Sequence, residues 1–229
     1  MAITSDTGRP GQIHTYDAEA DVGILSLYGD HRDGWFGGGA NRFHLMLSAG
    51  QLDIVSPMPR AIDALTARTQ GNYGKLWFQG SRVQRITDTL SVSGALTAQR
   101  ASKNLDPSEK FVLGGMDGVR AYAQGEGVGD EGIIASVEAR LLLAGASERM
   151  PGQLHLLAFA DAGRITINKD PWYPGDNERT LSGAGVGLSW SEPGDWLVRT
   201  YYAWTLGSEV SQSVPHEDGR FWIQAVKYF

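Results

Sequence analysis

The sequence predicts an all-β fold, a portion of a transmembrane antiparallel β-barrel, on three observations. About nine segments alternate apolar and polar residues with period two, most are near the nine to eleven residues that a tilted strand needs to cross a bilayer, and their connections sort into short and long. A count of 30 glycines against 9 prolines in 229 residues argues against a helical bundle.

Segments 17–30, 41–54 and 73–86 open the series. In 89–99, Leu90, Val92, Gly94, Leu96 and Ala98 share one face, and Ser91, Ser93, Ala95, Thr97 and Gln99 the other. In 133–143, Ile133, Ala135, Val137, Ala139, Leu141 and Leu143 oppose Ile134, Ser136, Glu138, Arg140 and Leu142. The run 153–163 sets Leu154, Leu156, Ala158, Ala160 and Ala162 against Gln153, His155, Leu157, Phe159, Asp161 and Gly163. In 183–190 Ala184, Val186, Leu188 and Trp190 oppose Gly183, Gly185, Gly187 and Ser189, and 195–206 and 219–229 complete the set. Aromatic residues such as Tyr28, Trp35, Trp77, Trp190, Trp204 and Tyr228 gather towards strand ends, as interfacial girdles require.

Short connections at 86–89, 145–152 and 191–195 alternate with longer ones at 55–72, 102–130, 167–179 and 207–218, which is barrel behaviour. Within the first long one, 59–70 has helical spacing after a proline and reads as a short loop helix. Barrels of the bacterial single-chain type have an even number of strands, so about nine is an incomplete wall. Residues 15–229 read as one barrel portion, and 1–14 as an N-terminal segment at a fragment edge.

A net charge of −6 and a pI near 5.3, with scattered lysine and arginine, give no field for nucleic acid. Without cysteine there is no disulfide, thiolate metal site or cysteine nucleophile. His14, His31, His44, His155 and His216 lack metal-ligand spacing, and no nucleophile elbow or phosphate loop occurs. We expect no enzyme activity, no metal and no cofactor. The first residues lack a signal-peptide pattern, and no run of about 18 apolar residues marks a spanning helix. Hydropathy windows are blind to strands with lipid on one face and water on the other, so alternation decides.

The loop 102–130 contains the motif residues. Residues 114–132 read GGMDGVRAYAQGEGVGDEG, seven glycines in nineteen positions, with Arg120 framed by Val119, Ala121 and Tyr122. Phe159, Asp161 and Gly163 share parity opposite the apolar set of their strand, so all three face a lumen. A partly dehydrated lumenal carboxylate wants a cation, and a guanidinium offers it two parallel hydrogen bonds. Gly163 leaves room for loop backbone to approach the wall, and Glu138 and Arg140 extend the network one step outwards.

The stretches SEKFVLGGMDGVRAY, GEGVGDEG, ASVEARLLL, LLAFADAG and GRFWIQAVKYF resemble the two-partner secretion translocators, the haemolysin secretion/activation family, over most of the chain from about residue 15. The resemblance implies the last nine strands of a sixteen-stranded bacterial outer-membrane barrel that exports a large partner protein and is preceded by periplasmic POTRA domains. Five of the nine strands follow the glycine-rich loop, as in that family's layout, and the resemblance implies that this loop folds inwards to supply the cation.

The family's V-R-G-[YF] tetrad corresponds to Val119, Arg120, Ala121 and Tyr122, with alanine for glycine, preceded by Gly114 and Gly115; its F-x-D-x-G wall motif is Phe159, Asp161 and Gly163. Phe229 resembles the terminal sorting aromatic read by the barrel-assembly machinery. Implied partners are therefore the secreted passenger, the outer-membrane bilayer and that machinery. An assembly barrel of the same superfamily and a passive porin are the alternative readings.

Overall fold

The computed structural model describes residues 16–144, 151–213, 215 and 218–229. The predicted segment 1–14, His14, His216 and most of the predicted turn 145–152 lie outside them.

Among the described residues nine long strands form one sheet: β1 (Ala18–Asp33), β2 (Gly39–Ile54), β3 (Gly71–Arg85), β4 (Leu90–Ala101), then, after the short β5 (Phe111–Val112) and β6 (Val128–Gly129), β7 (Glu131–Leu142), β8 (Gln153–Thr166), β9 (Glu178–Glu192), β10 (Trp196–Thr205) and β11 (Gly219–Lys227). Neighbours in sequence are antiparallel neighbours in the sheet, and β4 pairs with β7 across the hairpin that holds β5 and β6. The sheet is open: β1 and β11 stand at its two ends.

Several strands run further than the period-two pattern. β9 begins at Glu178 rather than near 183, because Arg179 and Thr180 continue the ladder opposite Ile165 and Arg164. Backbone pairing does not need the apolar face that made the membrane-depth portion legible. Loop helix α1 (Pro57–Leu65) starts and ends earlier than the predicted 59–70, with proline in its first turn where no intrahelical donor is lost. Thr66 backbone N–H closes it by donating to Asp63, and Arg68 follows in the left-handed region.

The register fixes which face is inside. Tyr28, His44, Gln79, Thr97, Ile134 and Gly163 oppose one another in one row across six strands, and Asp161 shares their face. The opposite face carries exposed Leu25, Leu27, Phe43, Leu47, Val137, Leu156, Val186, Leu188, Phe221 and Ile223, an apolar band with none of the described residues over it. The main core lies instead between loop and inner wall: Leu113, Val119, Ala121 and Tyr122 pack on Ile134, Leu157, Phe159, Ile165, Leu181, Tyr201 and Ala203. Connections 34–38, 86–89 and 193–195 lie at one end of the sheet; 55–70, 102–130, 167–177 and 206–218 lie at the other.

Candidate functional site

The hairpin between β4 and β7 packs against the inner face of the sheet. Its neck is closed by β5 and β6, by Leu113 N–H to Gly127 O at 2.8 Å, and by Gly114 N–H to Glu126 O at 2.8 Å. At the tip Gly115 has φ +125, a conformation costly for any side chain, and Val119 N–H returns to Leu113 O at 2.9 Å. This tight turn projects Arg120 sideways into the wall.

The structure brings Arg120 and Asp161 together. Arg120 Nε lies 2.9 Å from Asp161 Oδ2 and Nη2 lies 2.8 Å from Oδ1, a two-point fork, and Arg120 backbone N–H adds a third bond to Oδ2 at 3.2 Å. Nη1 donates to Glu138 Oε2 at 2.7 Å, and Nη2 also reaches Ser136 Oγ at 3.1 Å. Ser136 hydroxyl donates in turn to Asp161 Oδ1 at 2.7 Å. Arg140 Nε donates to Glu138 Oε1 at 2.8 Å, so two guanidiniums balance two carboxylates.

Glu138 is therefore a direct partner of Arg120 and not one step removed; only Arg140 stands outside the first contact. The reason is register. Glu138 opposes Phe159 and Ser136 opposes Asp161, so a guanidinium lying flat on Phe159 spans both pairs. Arg120 Cζ is 3.4 Å from the Phe159 ring centroid and 5.1 Å from that of Tyr201, and the two rings meet edge to face at 5.6 Å. Side-chain exposure is 8% for Arg120, 8% for Glu138 and 0% for Asp161, so these three charges depend on their partners for solvation, whereas Arg140 reaches solvent.

Gly163 makes room for a side chain rather than for loop backbone: a Cβ there would stand 2.5 Å from Leu113 Cδ1 and 2.8 Å from Ile133 O. Ala121 keeps an ordinary negative φ, and its methyl group is accommodated by the wall, where a Cβ on Gly183 would lie 2.5 Å from it. Tyr122 is buried, its hydroxyl donating to Glu209 O at 3.1 Å. Phe229 lies beyond the end of β11 and is fully exposed. Lys227, at the short-turn end, pairs with Asp195.

Sequence reasoning missed Ser136, Tyr201 and Trp222 as partners of the loop. Ser136 was within reach of it, because its strand position is opposite Asp161 once the two strands are paired. Trp222 donates from Nε1 to Arg120 O at 2.7 Å across 102 residues of sequence, and no local pattern carries that information.

An open antiparallel wall with an apolar outer face, an inner face that carries both a buried apolar cluster and buried charges, and an inward loop packed and ionically fastened to it defines a membrane β-barrel of the kind whose lumen is occupied by one of its own loops. The chain belongs to the Omp85 superfamily: the Omp85 superfamily domain matches residues 46–222. It is 27% identical over 152 residues to the heme/hemopexin transporter protein HuxB of Haemophilus influenzae, a match covering 65% of this chain and 26% of that relative. Its fold is similar to that of CdiB from Escherichia coli, with a TM-score of 0.56 at 17% identity, over 98% of this chain and 48% of that one.

Proposed function

We propose that this chain forms part of the wall of a larger closed outer-membrane barrel that exports a partner protein by two-partner secretion. The observation that carries the reading is the buried contact of Arg120 with Asp161, Glu138 and Ser136, which holds a loop inside the space a passenger would cross. A loop needed only as structure would be held well enough by apolar packing; a desolvated ion cluster adds a discrete, reversible position. Membership of the superfamily and the likeness to a protein named as a transporter support the same reading.

On this proposal the polar inner faces of the strands line the route, the passenger passes as an extended chain, and the apolar band meets the bilayer. Transport draws on no nucleotide, metal or cofactor, and the chain performs no catalysis. The passenger, the lipid and the barrel-assembly machinery that would read Phe229 are its partners. The test is export by the full-length protein carrying Arg120→Ala in intact cells. Inserted barrels with reduced passenger in the medium support the proposal. Wild-type export overturns the role of the loop contact, insertion of other barrel proteins would favour the assembly reading, and steady ohmic conductance without export would favour the porin.

A further inference from the structure

The inward loop carries a second buried charge, six residues after the first and opposite in sign. Glu126, on the returning arm, is fully buried. Its carboxylate accepts from Ser211 Oγ at 2.8 Å, Gln212 N–H at 2.9 Å and Ser213 N–H at 3.0 Å, and also from the Ser213 hydroxyl. It pairs with Arg179 of β9, itself buried, whose Nη2 donates to Val210 O at 2.7 Å. All the acceptor capacity of one carboxylate is thus spent on the long connection between β10 and β11 and on the wall beside it.

We infer that Glu126 is the catch of a second latch, which ties the arm of the inward loop to segment 206–213 at the long-loop end of the lumen. The inference rests on the loop occupying an export route, as proposed above. Arg120 fastens the tip of the loop to β7 and β8; Glu126 fastens its arm to β9 and to the last long connection. Two consecutive backbone N–H groups, two hydroxyls and a guanidinium converging on one carboxylate form a cradle for an anion. If the loop yields to a passenger, its carboxylate is a releasable ligand of segment 206–213, and Glu126 is a positioning residue that sets whether the long-loop end of the lumen, the outer mouth by the length of its connections, is covered.

The test is proteolysis of intact cells displaying the full-length protein, using a glutamyl-specific protease that cuts after Glu209. Cleavage of an ordered segment requires local opening, so we expect Glu126→Gln to speed cleavage after Glu209 roughly tenfold or more while the barrel keeps its heat-modifiable migration. Should Glu126→Gln fail to assemble, the double variant Ser211→Ala/Ser213→Ala, which removes donors from the outer segment alone, should show the same acceleration. Unchanged cleavage in assembled barrels would overturn the latch. So would equal acceleration by Arg120→Ala, since the two ends would then be one fastening. Cleavage is read without any passenger, so a failed export test and a failed latch are separable.

Discussion

Trp222, on the final strand, donates its indole N–H to the backbone carbonyl of Arg120 at 2.7 Å, so the residue that fixes the loop tip is held from β11 as well as from β7 and β8. This contact closes a ring of support around the loop that strand pairing alone does not provide. Replacing Trp222 with phenylalanine keeps the ring and leaves the carbonyl without its donor. We expect a loss of about 1–3 kcal/mol in the denaturant stability of the detergent-solubilised barrel.

Arg120→Ala takes from buried Asp161 its only cation among the described residues and leaves Glu138 to Arg140 alone, in a site with little access to water. The expected cost is roughly 3–5 kcal/mol, read as a lower denaturation midpoint. Arg120→Lys restores charge but not the fork over Phe159, and should recover only part of the loss.

Gly183→Ala drives a methyl group to within 2.5 Å of the Ala121 methyl. Alone it should destabilise by about 1–3 kcal/mol through overpacking. Adding Ala121→Gly removes that contact and leaves the Trp204 carbonyl oxygen, at 3.0 Å, as the nearest atom, so the double variant should be more stable than Gly183→Ala, and the double-mutant cycle should show coupling. Additive effects would mean that the loop does not press on β9 at this point.

Segment 206–213 should loosen in acid. Burial raises the pKa of Glu126, but hydrogen bonds from Ser213, Gln212 and Ser211 outweigh it and take the group from 4.5 to about 2. A depressed pKa means that the latch contributes fully above the ordinary carboxylate value and is lost as pH falls through the depressed one. Hydrogen exchange of the 206–213 amides, corrected for intrinsic rates, should therefore increase between about pH 4.5 and about pH 2. Glu126→Gln should show no such transition.

Much of the wall was legible because alternation is local. A strand with lipid on one side and water or loop on the other writes its two environments into successive residues, as in 153–163, and parity alone set Asp161 inside. Strand ends were less legible: at Arg179 and Thr180 the ladder continues through two polar residues, so the strand itself marks neither face as apolar there. The two-residue strands β5 and β6 left no periodic mark, since two residues cannot show a period.

The sequence by itself determined the fold class and the inner and outer faces, because each follows from residue order along the strands; that Arg120 of the loop faces Asp161 of the wall was legible only through the paired motifs of the family the chain resembles. Only the tertiary structure decided that Glu138 touches Arg120 directly, that Gly163 receives Leu113, and that Trp222, Arg179 and Ser211–Ser213 hold the loop. Those contacts join residues up to about a hundred positions apart. Their distances depend on register, sheet curvature and the path of the hairpin, which only the assembled wall fixes.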